Sequence, residues 1–400
     1  MDVLDPHSAL SNHFPQELVD EVIDNLDSSR DLRACSLVSS KWLERSRRKL
    51  FANVCLNTWN FDRWQRNIPP GPNGISTYVR SLALRQAKSI ISLEPETLMG
   101  IMDHLTSFRR LKSLSLQDVG FDDFFDGPSL TECFGHFGRS VRSLYLHCIK
   151  TNIGTLLFFV NLFPNLDHLT ISSPNLTSGA TQQPERVLPL RGTLRLTHLG
   201  AGCHTILSGI LLIPLRLEEI SITHCQIVDS KILDGLISKC APTLKKLELS
   251  HVISCACHTD SVPNLFTDDR SPDNEGNPVS VSLSPCLALR ELATNTVTIK
   301  RPSPWIETML STISLRATQF KRVTINVQCQ LLSPDIGEQV HTEEWESIED
   351  ILYGLALRLN SSLKFELVFV ANPTYDEEEI ELGEFLERLV EVAVVRFARA

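Results

Sequence analysis

One motif recurs along this chain and restricts its fold more than any other feature. It reads apolar-x-x-apolar-x-apolar. The clearest copies are "VRSLAL" (79–84), "LKSLSL" (111–116), "VRSLYL" (141–146), "LDHLTI" (166–171), "LEEISI" (217–222), "LKKLEL" (244–249) and "FKRVTI" (320–325). Weaker copies are "LRLTHL" (194–199), in the register Leu196-x-x-Leu199, and "LRELAT" (289–294). Starts fall at 79, 111, 141, 166, 196, 217, 244, 289 and 320, so the gaps run from 21 to 45 residues. A period of roughly 20–50 residues with one short strand and one helix per unit marks a repeat array. Alternation along each strand turns Leu114 and Leu116, or Leu144 and Leu146, to the same inner face.

Amphipathic stretches lie between the strands. "PETLMGIMDHLTSF" (95–108) sets Leu98, Ile101, Met102 and Leu105 on one face, and "DSKILDGLISKC" (229–240) does the same with Ile232, Leu233, Leu236, Ile237 and Cys240. The expected fold class is α/β: an irregular solenoid of short parallel strands and outer helices over residues 77–400, in which each unit covers its neighbour's open face. Its end is predicted as a helix over 343–362, a strand over 363–370 and a capping helix over 376–398. Two segments rich in Pro, Asn, Ser, Asp and Gly, near 172–192 and 254–285, read as long surface loops.

Composition narrows the class. The 400 residues are 42% hydrophobic and 22% charged, with a net charge of −10, which argues for a globular chain and against general nucleic-acid binding. No basic stretch leads into an apolar run at "MDVLDPHSAL". The longest apolar stretches, Ile206 to Leu217 and Ile153 to Phe163, fall short of the roughly 20 residues a spanning helix needs. Eleven dispersed cysteines fit reduced thiols of a cytoplasmic or nuclear protein, with Cys35, Cys148, Cys225 and Cys240 expected as buried small apolar residues.

The first fifty-odd residues follow a different rule. Pro15 suits a first helical position, and Leu18, Val19, Val22, Ile23 and Leu26 recur at helical spacing behind it. "DSSRD" (27–31) reads as a turn, Leu32 to Val38 as a second helix, and Ser39 or Ser40 as the cap of a third through Trp42 and Leu50. "KWLERSRRK" (41–49) holds five basic residues and reads as the solvated face of that helix. This segment, residues 12–52, resembles an F-box. Phe14-Pro15 stands where that family has Leu-Pro, and Glu17, Ile23, Leu26, Leu32, Ser36-Leu37-Val38 and Trp42 fall on further characteristic positions. It departs from the family in Phe14 and in Ser39-Ser40-Lys41, which replaces a Cys-Arg-Lys/Arg run. The resemblance implies docking to a Skp-type adaptor, and through it to a cullin, with Phe14, Pro15, Leu18, Ile23, Leu26, Leu32, Leu37 and Val38 as the adaptor surface and Trp42 holding the third helix. Residues 53–76, which include "RNIPPGPNG" (66–74), read as a linker.

The repeats resemble leucine-rich repeats. The best copy, "LEEISITHCQIVD" (217–229), places Leu217, Ile220, Ile222, Cys225 and Ile227 on that consensus, with Cys225 on its Asn/Cys position. Val119, Ile149, Pro174 or Val252 takes that position elsewhere, so the repeats are degenerate. An F-box followed by such repeats is similar to the F-box proteins that fungi carry in large numbers. The resemblance implies a substrate-recognition subunit of a Skp-cullin-F-box ubiquitin ligase. Outward strand residues would then face a target: Arg85, Tyr145, His147, His168, Glu219, Thr223, Lys246, Glu248, Arg322 and Asn326.

No nucleophile elbow, zinc-protease or phosphate-loop motif stands in the sequence, so no enzyme activity, cofactor or metal is expected. His251, Cys255, Cys257 and His258 offer four soft donors, but their spacing matches no common closed zinc site. The alternatives are a protein-interaction scaffold without ubiquitin transfer, and an enzyme whose Cys/His site assembles only in space.

Overall fold

Alternation of Leu with small or polar residues turns the repeated motif into strands. In chain order a computed structural model shows α1 (Gln16–Asp24), α2 (Ser29–Cys35), α3 (Ser40–Leu50), β1 (Asn53–Asn57), α4 (Phe61–Asn67), β2 (Ser81–Arg85), β3 (Ser113–Gln117), α5 (Gly127–Phe134), β4 (Ser143–His147), β5 (Lys150–Thr151) and α6 (Ile153–Asn161). There follow β6 (His168–Ser172), β7 (Asn175–Leu176), β8 (Leu190–Gly200), α7 (Cys203–Leu211), β9 (Leu215–Ile227), α8 (Ser230–Cys240), β10 (Lys246–Ser250), β11 (Ile253–Ser254) and β12 (Glu291–Thr296). The chain ends with α9 (Pro304–Ser311), β13 (Arg322–Cys329), α10 (Thr342–Arg358), β14 (Lys364–Ala371) and β15 (Ala393–Arg399). The structure describes residues 15–57, 60–67, 74–85, 108, 110–121, 127–177, 188–200, 202–227, 230–250, 253–254, 281–296, 304–313, 316–329, 342–358, 364–371 and 393–399. The chain is α/β, and it divides into two compact units, Met1–Leu166 with Pro174–Pro184 and Asp167–Ser173 with Glu185–Ala400.

In the first unit β1, β2, β3 and β4 pair in parallel, in chain order and without register shift. Leu82, Leu114 and Leu144 form one buried row, and Leu84, Leu116 and Leu146 the next. On the helical side the core is aromatic. The Phe159 ring lies 4.8 Å from Phe121, 4.9 Å from Phe134 and 5.2 Å from Phe163, distances at which aromatic pairs attract beyond their burial. Helix α6 starts cleanly because the Asn152 side chain accepts a 2.9 Å bond from the Thr155 N–H. The segment 53–76 is not a plain linker. It carries β1, whose Val54 and Leu56 alternate inward against β2, and α4. Part of the loop expected at 172–192 is also ordered by pairing, since β7 lies against β5.

In the second unit β6, β8, β9, β10, β12, β13, β14 and β15 follow one another, each parallel to the next. Leu169, Leu194, Ile220, Leu247, Leu292 and Val323 form one buried row; Ile171, Leu196, Ile222, Leu249, Thr294 and Ile325 form the other. Ile206, Leu207 and Ile210 of α7, and Leu233, Leu236 and Ile237 of α8, cover one side. Helix α8 runs where the 229–240 periodicity puts it.

Two expectations need correction here. The weak copy at 194–199 has the other register: Leu194 and Leu196, not Leu196 and Leu199, stand beside Leu169/Ile171 and Ile220/Ile222. Its equivalent start is 191, so the gaps of 30 and 21 become 25 and 26. A register shift at Gly192/Thr193 breaks the leading apolar spacing and hides this in the sequence. Second, the capping helix predicted over 376–398 gives way, from Ala393, to strand β15 on β14. "AVVRFAR" is rich in β-branched and aromatic residues, which favour a pleated strand. Residues 372–392 lie outside the described residues, as do most of the predicted helix at 95–108 and residues 255–280 of the second loop. The helix expected over 343–362 is described over Thr342–Arg358, and residues 359–362 lie outside the described residues.

Candidate functional site

The first three helices form a small unit with little interior. Val19, Ile23 and Leu32 are its buried hydrophobic residues, with Leu26, Trp42 and Leu50 packed half-buried against them. In α1 the i,i+4 pair Val19/Ile23 points inward, and the neighbouring pair Leu18/Val22 therefore points out. Pro15 stands just before the helix, not in its first turn. Its ψ is 142°, and its carbonyl accepts the N–H of Val19 at 3.3 Å. The second helix also begins earlier than its apolar spacing suggests, because Ser28 caps it by accepting from the Asp31 N–H at 3.4 Å. It is over by Cys35, so Leu37 and Val38 belong to the turn that follows. That turn lifts them off any core: Leu37 is 86% exposed, Val38 64%, Val22 48% and Leu18 46%.

Of the residues expected on an adaptor-docking face, Pro15, Leu18, Leu37 and Val38 are exposed, and Leu26 is partly so. Ile23 and Leu32 are not available. Both are buried in the unit's own core, because α1 and α2 have nothing else in the unit to close on. Phe14 lies outside the described residues. Val22 belongs to the exposed set and was not on the expected face. Its i+4 spacing from Leu18 was the available signal.

Two cations of the basic run in α3, Arg45 and Lys49, tie it to α1 and the turn after it. Arg45 Nε donates to Asp24 Oδ1 at 2.9 Å, and its Nη2 pairs with the second carboxylate oxygen. Lys49 Nζ donates to the Asp24 carbonyl at 2.5 Å and lies 3.5 Å from Asp27. Arg48 pairs with Glu44 one turn away. The Arg45 guanidinium beside it holds the Asp24 carboxyl below the usual carboxylate range. The C-terminal end of α1 is thus clamped by cations, which also suits its dipole.

The strand faces opposite the helices differ between the two units. In the first, Asn53, Ser81, Ser113 and Ser143 share a row; Cys55, Ala83, Ser115 and Tyr145 share the next; Asn57, Arg85, Gln117 and His147 share the third. Of the expected target-facing residues, Arg85, Tyr145 and His147 are therefore brought onto one surface, with Arg85 and Tyr145 exposed and His147 half-buried. Just before the strands stands a row that target-facing logic missed: Arg80, Lys112 and Arg142, all exposed, linked by Lys112 N–H to Arg80 O and Arg142 N–H to Lys112 O, each 2.8 Å or less. Its signal was the repeated "VRSL", "LKSL", "VRSL".

In the second unit, His168, Glu219, Lys246 and Arg322 share the first row with Thr193, Glu291 and Lys364. Glu219, Lys246, Glu291 and Arg322 alternate in sign across adjacent strands, an arrangement that stabilises a sheet. Lys245 Nζ pairs with Glu218 at 2.7 Å beside them. Glu248 sits one row on, and Thr223 and Asn326 two rows on, all half-buried.

At the strand ends a left-handed residue recurs: Asp118 and Cys148 in the first unit, Ser173, His198 and His224 in the second, with φ between 47° and 58°. The His198 and His224 rings stack at 4.6 Å with 5° between planes. Burial, and then the neighbouring His198, hold the His224 imidazole below its ordinary range.

The thiols expected to be buried divide. Cys225 and Cys240 are buried, but Cys35 and Cys148 are only half-buried; Cys203 and Cys286 are buried as well. Burial pushes the Cys240 thiol up to about 11 and the Cys286 thiol up to about 12. Cys203, hydrogen-bonded to Cys225 and buried, is pushed up further. Such thiols are not nucleophiles at neutral pH. The donors His251, Cys255, Cys257 and His258 lie outside the described residues. Among the described residues no group of three or more His, Cys, Asp or Glu is placed to hold a metal ion, and no helix is long and apolar enough to cross a membrane.

No protein-family description matches this chain, and no curated protein matches it.

Proposed function

We propose that this chain is the target-recruiting subunit of a Skp-cullin-F-box ubiquitin ligase. The three-helix head acts as the F-box and docks to a Skp-type adaptor; the parallel strands behind it act as leucine-rich-repeat-like arrays that hold a target protein. The chain itself makes and breaks no bond. It brings target lysines to a ubiquitin-charged enzyme and so raises their effective concentration. On this reading it works in the cytoplasm or nucleus, where the cullin machinery is.

The observation that carries the reading is the apolar surface of the head. Leu18, Val22, Leu37 and Val38 are large, exposed and close in sequence, on a unit whose buried hydrophobic residues, among those described, are Val19, Ile23 and Leu32. Large apolar side chains left exposed on so small a unit mark a protein-binding surface. The corresponding experiment is capture of a purified Skp-type adaptor by the full chain. Leu37→Asp with Val38→Asp is expected to abolish capture and to leave the thermal melt unchanged, because neither side chain is in the core. Capture that survives both substitutions refutes the reading. Ile23→Asp is the wrong test, since it would unfold the head.

A further inference from the structure

We infer that the strand face of the first unit binds an acidic, Asp- and Glu-rich peptide segment of its protein partner. The inference deepens the proposed recruiting role by giving the target a chemistry. Arg80, Lys112 and Arg142 stand side by side at the start of β2, β3 and β4, all exposed. Adjacent strands are ~4.8 Å apart, so this row spans about 10 Å. Arg85, exposed at the far end of β2, lies five residues along a strand from Arg80, about 16 Å away. None of the strand-face rows between them contains a carboxylate.

Between these cations the surface is small and neutral. Ser81, Ser113 and Ser143 form one row, and Ala83 and Ser115 lie in the next, ended by the exposed Tyr145. Short side chains leave the backbone of a ligand free to approach. Hydroxyls offer it donors, and Tyr145 offers an aromatic contact.

The cations are spread over the face and do not converge on one point. That distribution matches a run of carboxylates better than a single phosphate group, which needs donors gathered around it. Two contrasts make the charge meaningful. The chain as a whole carries −10, so a face with cations alone is not its general character. The second unit carries a like row in Lys245, Arg290 and Lys321, but there Lys245 pairs with Glu218 and the next row interleaves Glu219 and Glu291 with Lys246 and Arg322, which offsets the charge.

The test is fluorescence anisotropy with the full chain and a labelled ten-residue Glu/Ser peptide, beside Lys/Ser, phosphoserine and duplex-DNA probes. The Glu/Ser peptide is expected to bind, and to bind less tightly as salt rises. Arg80→Glu with Lys112→Glu should weaken it by about tenfold or more, given what exposed ion pairs contribute. The matched pair Arg290→Glu with Lys321→Glu, on the second unit, should change it less than about twofold. Should the first double variant fail to fold, Arg85→Gln serves instead, with an expected loss of about threefold. The inference is overturned by equal binding of the Lys/Ser peptide, by equal losses in both double variants, or by tighter binding of duplex DNA. A phosphoserine peptide of the same net charge that binds tenfold tighter would also overturn it, in favour of phosphate. None of these readouts involves the adaptor, so this inference and the adaptor reading can fail separately.

Discussion

Thr294 occupies a position that ten other strands fill with Leu or Ile. It is buried between Leu249 of β10 and Ile325 of β13, and its Oγ1 has no hydrogen-bond partner among the described residues. Burying a hydroxyl without a partner costs roughly 1–3 kcal/mol. Thr294→Val keeps the branched shape and removes the oxygen, so it should stabilise the chain by about 1 kcal/mol, seen as a higher urea midpoint with an unchanged slope. A lower midpoint would mean that the hydroxyl has a function the packing does not reveal. At this scale the sequence was readable wherever a residue type has one main use. The alternating leucines are where their period puts them. Exposure was harder to read. The apolar spacing puts Leu37 and Val38 in a second helix, on the docking face; the Ser28 cap starts that helix early and leaves both exposed in a turn. Ile23 and Leu32 look equally available and are not. The helical period gives a residue's angle around the axis but not which flank a partner will cover.

Elements were legible when their pattern stayed in step and obscure when it slipped. Strands β2, β3 and β4 keep a perfect register, and their copies of the motif are the clearest in the chain. Strand β8 is longer and bulged, and its motif starts five residues before the position its spacing suggests. Gly192 sits at that slip with φ 69°, and a Cβ built there would lie 2.1 Å from the Asp167 carbonyl oxygen. The Thr193 N–H donates to the same oxygen at 2.7 Å, so the backbones of the two strands need this close approach. Gly192→Ala should destabilise the second unit by about 1–3 kcal/mol from the left-handed backbone alone, with the clash adding to it. Circular-dichroism melts would show the loss, and a melt within a degree of the parent would disprove this account of the bulge. From Ala393 the predicted helix is a strand for a related reason: "VEVAVVRFA" fits both periods, and pairing with β14 decides between them.

At the scale of the chain, totals hid what rows disclose. A net charge of −10 argues against an electropositive surface, yet the motif repeats place Arg80, Lys112 and Arg142 in one line. Only parallel, in-register pairing brings residues some thirty positions apart to neighbouring strands, so sequence composition could not show it. The same pairing distributes the cysteines in a way that makes unfolding readable. Cys203, Cys225, Cys240 and Cys286 are buried in the second unit, and Cys240 and Cys286 are held protonated by that burial up to about 11 and about 12. Cys55, on the strand face of the first unit, is exposed. An alkylating reagent should therefore modify Cys55 in the folded chain within minutes, while the four buried thiols wait for the second unit to open. Mass spectrometry of the labelled peptides across a urea series should show those four reacting together, at one midpoint that moves down with Gly192→Ala and up with Thr294→Val. Both substitutions lie in the sheet whose leucine rows cover these thiols. Labelling of Cys203 or Cys240 in the native state, at a rate like that of Cys55, would mean that the second unit does not hold its rows closed, and the repeat packing argued from the motif would have to be abandoned.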